Sequence, residues 1–323
     1  MSPKPNVESE NRALIEGAGF QLIDDRIAIR LTGDDRAEFL HGVASNDIKS
    51  AKPGSVVPAM FLTEHAHVIG EFFLWIEEDA FTLEADLGAW PTEREHLEKL
   101  LVADDVEMEE LRPLAVLYVQ GPRAAELLAK AGIAGGNALA PWTCSKSVNA
   151  ILGRYPRFGA DSFSLLGDRV VLSDIAYKLS DLGAVVVSEA TLEVIRVERG
   201  IARVGFDTTA KTIALEARLT RAISMSKGCY LGQETIERAT SRGGLKKKLY
   251  CMRFETPIEP GAVLELKGKE VGLVSSAVIS PRLGPIGLAI LHHSAWTPGV
   301  RLEVRGAGGS TAATVTDIPF ISD

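Results

Sequence analysis

Lys227-Gly228-Cys229-Tyr230-Leu231-Gly232-Gln233-Glu234 places a cation, a thiol, a phenol, an amide and a carboxylate within eight residues, with two glycines among them. Glycine admits positive φ and lets another group approach the backbone closely. Such a loop can turn several polar groups toward one small molecule. On its C-terminal side the chain changes texture. Leu249–Phe254, Val263–Leu266, Val271–Ile279, Ile286–Leu291, Arg301–Val304 and Ala312–Thr316 read as short strands between turns, with no helical period. That pattern predicts a small closed or Greek-key barrel beginning near residue 244.

On the N-terminal side, strands and helices alternate. Residues 1–12 read as a loose tail and Arg26–Leu31 as a strand; Thr32-Gly33-Asp34-Asp35 then opens a helix that ends near Gly42, with Asn46-Asp47 in the following turn. Val56–Thr63 and Val68–Glu77 form a hairpin around Glu64-His65-Ala66, and Phe81–Ala85 adds a third strand. Pro91–Leu101 is an amphipathic helix. Val106–Leu111 and Leu114–Val119 are strands broken at Arg112-Pro113, where proline interrupts a ladder. A helix spans Arg123–Ala131, residues 132–149 read as loop, and Ile151–Tyr155, Ser162–Leu166 and Val185–Val187 as strands. Ser188 caps a helix running to Gly200, with Val194, Val197 and Ile201 on its core face. Residues 203–243 read as irregular and contain the opening octapeptide.

The 323 residues suffice for two or three domains, and the net charge of −8 argues against wholesale phosphate binding. Cys144, Cys229 and Cys251 are far apart and form no CxxC, so neither a disulfide scaffold nor a chain-encoded metal site is expected. Met1–Arg12 has no apolar core, and no apolar run approaches the ~20 residues of a membrane span. The expectation is a cytoplasmic protein with no membrane contact.

Cys229 is the candidate nucleophile, with Lys227 two residues away to favour its thiolate; the alternative is a small buried hydrophobe. Glu234 and Gln233 either begin a helix near Thr235, where an acid meets the macrodipole favourably, or read a heterocycle edge. Arg196 is either a snorkelling helix residue or a fork for a carboxylate. Lys246-Lys247-Lys248, preceded by Arg238 and Arg242, is either a solvated surface or a weak tRNA contact. His292-His293 read as strand-end residues. No Walker loop, GxSxG or HExxH is present.

The octapeptide resembles the signature of the YgfZ family, the folate-binding branch related to the glycine-cleavage T protein (aminomethyltransferase). FLHGVASNDI (39–48), VQGP (119–122), IRVERGIARVGFD (195–207), ALEARL (214–219) and the Gly-Leu-Val-Ser-Ser of 272–276 resemble further segments of that family. The resemblance implies an α+β fold in which two interleaved α+β sub-domains form a folate-binding core, with a C-terminal β-barrel. The first sub-domain would take 1–50 and 113–195, the second 51–112 and 196–243, and the barrel 244–323. It implies tetrahydrofolate or a derivative in a central pocket formed by Asn46, Arg196, Glu216, Lys227, Tyr230, Gln233 and Glu234, with Cys229 and Lys227 as the reactive pair.

Within that pocket Glu216 or Glu234 would accept the adjacent N–H donors of a reduced pterin, and Tyr230 would offer a stacking face. Arg196 and Lys227 would lie near the ligand, where folate's carboxylates suit cations. The function implied is accessory work in iron–sulfur cluster assembly or repair, with iron–sulfur clients that include radical and tRNA-modifying enzymes, and a transient cluster. The alternative is a folate-dependent aminomethyltransferase or demethylase acting on a small amine. Two departures weigh against transfer: the family's Gly-x-x-x-Asp-Asp stretch reads His67-Val68-Ile69-Gly70-Glu71-Phe72 here, and its Gly-Glu-Asp reads Gly159-Ala160-Asp161.

Overall fold

The computed structural model describes residues 6–147, 150–159, 161–241, 244–306 and 309–321; the expectations that involve Ala160, Arg242 and Gly243 fall outside them. Two sheets and a barrel make up the fold. The first sheet runs in the order Val185–Val186, Gly19–Ile23, Leu114–Gln120, Ser162–Asp168, Ala150–Arg154, Thr143–Ser147. The second runs Val56–Leu62, Val68–Ile76, Phe81–Asp86, Arg26–Thr32, Glu107–Leu111.

The strand period explains how the sheets stack. In Leu114–Gln120, Leu117 and Val119 pack under the helices Ala124–Lys130 and Arg169–Asp181, while Val116 points the other way. In Val68–Ile76, Phe72 and Leu74 pack under the helices Arg36–Val43 and Trp90–Leu100, while Phe73 and Trp75 point the other way. Val116, Phe73, Trp75, Tyr155 and Leu166 therefore meet in a shared core between the sheets. Strands buried on both faces read as continuous apolar runs, as LAVLYV and FFLWI do.

Six antiparallel strands close the barrel: Lys247–Phe254, Gly284–His292, Lys269–Ser280, Val263–Leu266, Arg301–Gly306 and Gly309–Thr316. The expected α+β core with a C-terminal barrel is the fold observed. The helix Glu189–Glu198 joins core to barrel by packing on Lys269–Ser280 and Gly284–His292.

Several local expectations need correction. Of the expected loose tail, residues 1–5 lie outside the described residues and residues 7–12 belong to the helix Val7–Glu16, started by the Asn6 side chain and held by Glu10, whose carboxylate accepts from Ser188 N (2.7 Å), Ser188 Oγ and Thr191 Oγ1 (both 2.6 Å). The loop 132–149 contains the strand Thr143–Ser147, which pairs with Ala150–Arg154. The helix Arg169–Asp181 was not anticipated; Asp168 caps it through Val170 N and Val171 N. The helix begun by Ser188 ends at Glu198, so Ile201 lies beyond it, while Val194 and Val197 are buried as expected. Arg26–Thr32 pairs with Phe81–Asp86 and Glu107–Leu111, so the segment 1–50 does not stay with one sheet. We propose that the first sub-domain hands over to the second at Asp24–Asp25 rather than at residue 50.

One buried acid makes a pH prediction. Glu93 is fully buried behind the second sheet, and neither carboxyl oxygen has a partner among the described residues. Its carboxyl fills the space that a side chain at Gly70 would take, since a Cβ there would lie 1.6 Å from Oε1. Burial pushes its pKa up to about 8; Arg26 opposes the shift and Asp86 adds to it. An acid with a raised folded pKa is protonated in the fold while the unfolded chain ionises. Stability therefore falls as pH rises from the usual carboxylate range to about 8. Glu93→Gln should melt like wild type near pH 5 and several degrees higher at pH 8.5, read by circular dichroism. Parallel melting curves at the two pH values would refute the neutral acid.

Candidate functional site

The octapeptide loop is built from the helix Arg36–Val43 outward. Ser45 N donates to Met60 O (3.0 Å), Met60 N donates to Ser45 Oγ (2.9 Å), and Ser224 N donates to Ser45 O (3.0 Å). Asn46 Nδ2 donates to Pro58 O (2.8 Å) and Arg221 O (3.3 Å). These bonds tie the turn after the helix, the edge of the second sheet and residues 221–224 into one wall.

Lys227 follows. Its ammonium donates to the carbonyls of His41 and Ala44 at the helix C-terminus, where a cation satisfies oxygens that the helix leaves open. It is only 8% exposed, and it lies 4.7 Å from the Tyr230 ring centroid. Burial lowers its pKa to about 8, opposed by Asp47. Burial likewise raises the Tyr230 phenol to about 12. Asn46, Lys227 and Tyr230 therefore share one wall, with the lysine turned inward as a clamp.

The thiols divide cleanly. Cys144 and Cys251 are buried, and burial raises each to about 12; Cys229 is exposed. The two glycines differ as well. Gly232 has φ +87°, and a Cβ there would lie 2.7 Å from Thr63 O, so only glycine lets the loop seat against the 63–66 hairpin tip. A Cβ at Gly228 would meet nothing within 4 Å, so the backbone beside the thiol is open.

The other candidates lie elsewhere. Gln233 and Glu234 begin the helix Gln233–Ser241, two residues before the expected start. The Glu234 side chain is 89% exposed and pairs with Arg238 at 3.0 Å, and Gln233 Nε2 donates to Glu237 at 2.7 Å. They are placed on a solvent-facing helix start, the plainer of their two readings. Glu216 is half-buried; its Oε2 accepts from Ile213 N at 3.1 Å, and burial raises its pKa, opposed by that bond, by Lys247 and by His67.

Arg196 departs from the snorkelling reading. It is buried rather than snorkelling, and its donors are spent on Glu193, on Asp207 Oδ2 (2.7 Å), on Ser276 Oγ (2.7 Å) and on the Ile201 carbonyl. Asp207 also accepts from Ser275 and Ser276 on the barrel. Arg196 Nε and Nη2 fork onto the Glu193 carboxylate, and through Asp207 and Ser276 the IRVERGIARVGFD segment ties core to barrel.

Sequence reasoning missed the charges between the sheets. Glu84, fully buried, accepts from Arg157 Nη2 (2.7 Å to each oxygen), Arg26 Nε (2.8 Å), Tyr155 Oη (3.2 Å) and Trp75 Nε1 (3.3 Å). Glu71 pairs with Arg221, whose guanidinium also lies 5.9 Å from the Phe73 ring centroid. The available signal was a lone acid in each of two apolar strands, which must find a partner when buried. Among the described residues, no cluster of three or more His, Cys, Asp or Glu could hold a metal ion, and no helix is long and apolar enough to cross a membrane.

A two-sheet α+β core closed by a six-stranded barrel, with a polar wall at their junction, defines a protein of the glycine-cleavage T-protein class. The chain belongs to the GCVT family: residues 2–227 match the GCVT N-terminal domain and residues 247–321 match the glycine cleavage T-protein C-terminal barrel domain. The solved aminomethyltransferase T of the glycine cleavage system from Bartonella henselae is similar, with a TM-score of 0.90 and 25% identity over 98% of this chain and 89% of that one. A chloroplastic protein of Arabidopsis thaliana, provisionally named a transferase, is 27% identical over 91% of this chain and 69% of its own length. The aminomethyltransferase of Deinococcus deserti is 24% identical over 97% of this chain and 88% of its own length.

Proposed function

We propose that this protein is a tetrahydrofolate-binding member of the YgfZ branch, an accessory to iron–sulfur cluster assembly or repair with Cys229 as its reactive group. The family supports a folate-binding core. The observation that carries the reading is the opposed pair in the signature loop: Lys227 buried as a helix clamp, and Cys229 exposed beside an open backbone. A thiol displayed on a loop fixed this firmly suits transfer to or from a partner protein. The residues present also fit a reduced pterin. Asn46, Glu71 and Arg221 lie together at the junction of the sheets, and Glu71 and Arg221 keep part of their surface open there. Bound folate would supply a one-carbon or reducing centre. This chain would supply the wall that orients it and the thiol on the rim. The clients would be iron–sulfur enzymes, including radical and tRNA-modifying ones, met in the cytoplasm.

The aminomethyltransferase reading is favoured by the names of relatives matched over nearly the whole chain. Against it, the family's Asp-Asp stretch reads Glu71-Phe72 here, and Glu71 is engaged by the Arg221 guanidinium.

Titration with tetrahydrofolate, followed by tryptophan fluorescence, tests the folate reading; Trp75 and Trp142 both pack on Tyr155 between the sheets and should report saturable binding. Cys229→Ala should keep wild-type melting and folate binding while failing to restore iron–sulfur enzyme activity in cells lacking the protein. Full restoration would remove the thiol from the function. Turnover of a methylated or aminomethylated amine with tetrahydrofolate would establish the transferase instead.

A further inference from the structure

Two ion pairs on the same face of the second sheet are finished differently. Glu84–Arg157 is sealed, with side chains 0% and 5% exposed, and both Glu84 oxygens are occupied. Glu71–Arg221 is open, with side chains 13% and 21% exposed. Both Arg221 donors fall on one oxygen, Nε and Nη2 reaching Glu71 Oε1 at 3.3 and 3.1 Å. Glu71 Oε2 receives no donor among the described residues, and Arg221 Nη1 makes only a 3.4 Å bond to Pro156 O. Glu71 Oε2 keeps contact with solvent, so this pair offers an open acceptor and donor at the junction where its neighbour is closed.

The spare groups are complementary to one kind of ligand edge. A carboxylate oxygen accepts an N–H, and a neighbouring guanidinium N–H donates to a carbonyl. We propose that Glu71 and Arg221 together read the lactam edge of a flat heterocycle, Glu71 taking the ring N–H and Arg221 the adjacent C=O. The assignment rests on the folate reading, under which the ring is the reduced pterin. Arg221 is well placed for this. Its backbone carbonyl is held by Asn46, its guanidinium lies over Phe73, and its Nη1 reaches the loop of the opposite sheet. The substitution of Glu71 for an aspartate is then a change of task, from assisting transfer to recognising the ring.

The test compares tetrahydrofolate with 6-methyltetrahydropterin, which has the same ring and no aminobenzoyl-glutamate tail, by calorimetric titration of wild type, Glu71→Gln and Arg221→Met. Wild type should bind both. Each variant should weaken both ligands by the same factor, on the order of 10- to 100-fold, because a site built to hydrogen-bond a group is penalised when the partner is lost. Arg221→Lys should not restore binding, since it lacks the planar fork. Glu71→Gln is isosteric and keeps the test alive if Arg221→Met does not fold. Variants that melt and bind as wild type overturn the assignment and leave the folate reading standing. Loss confined to tetrahydrofolate also overturns it, because the pair would then meet the tail. Wild-type binding of the ring alone, without tetrahydrofolate, supports the edge and overturns folate. Binding of neither ligand overturns both.

Discussion

Glu84→Ala is expected to destabilise the protein by about 3–5 kcal/mol, the cost of orphaning buried charge, and thereby to remove a large part of a typical domain's stability. The carboxylate lies in the shared core between the sheets and joins them directly. Arg26 and Trp75 come from the second sheet, and Tyr155 and Arg157 follow the first sheet's strand Ala150–Arg154. Burial alone would raise its pKa, but Arg157 and Arg26 together hold it below the usual carboxylate range. Its contribution is therefore present at neutral pH and lost as pH falls through that lowered value. Alanine leaves two guanidiniums facing each other without an anion. The double variant Glu84→Leu/Arg157→Met should recover part of the loss, because it removes the fully buried one of the two cations left without an anion and leaves only the partly exposed Arg26. Urea unfolding of the three proteins measures this. A loss below about 1 kcal/mol in the single variant, the worth of an exposed pair, would show that the junction is wet.

The parts legible in the sequence were those set by local pattern. The barrel strands, the hairpin at residues 56–76 and the Ser188 cap follow from alternation, turn residues and capping chemistry, all read within a few positions. The helix Arg169–Asp181 was not read, although Asp168 stands at its N-cap, because two valines and a leucine after a strand continue a strand pattern as readily as they open a helix. The site divided along the same line. Cys229, Gly232 and Lys227 stand out because they share one octapeptide, and the structure places them differently: Lys227 against a helix end, Gly232 against the hairpin tip and Cys229 exposed. Glu84 and Arg157 are 73 residues apart and meet because the two sheets stack, while Glu71 and Arg221 are 150 apart and meet because the turn Thr220–Ala222 packs on the edge of the second sheet. Lone acids in apolar strands signalled that partners must exist; nothing local named them. The partners of Arg196 are hidden for the same reason, since Asp207 and Ser276 come from a turn and from the barrel.

Arg196→Met should cost about 3–5 kcal/mol by leaving Asp207 buried without its cation, and should do so without weakening tetrahydrofolate binding by the fraction that remains folded. Asp207 is the hub of this tie. Its Oδ2 accepts from Arg196 Nη1 and from Arg203 N at 2.9 Å, and its Oδ1 accepts from Ser275 and Ser276 on the barrel. Loss of the guanidinium therefore loosens the helix Glu189–Glu198, the turn after it and one barrel strand together. Asp207→Asn, which keeps the shape and the serine bonds but drops the charge, should cost less than Arg196→Met. The double variant should cost less than the sum, because the two residues share one network. A structural tie and a ligand fork predict different pairings of readouts. If the residue ties core to barrel, the melting temperature falls and the dissociation constant, measured well below that temperature, stays at the wild-type value. If it holds a folate carboxylate, the melting temperature barely moves and the dissociation constant rises at least tenfold. The five hydrogen bonds that Arg196 already donates, to four partners, favour the first outcome, and the second would return it to the binding site.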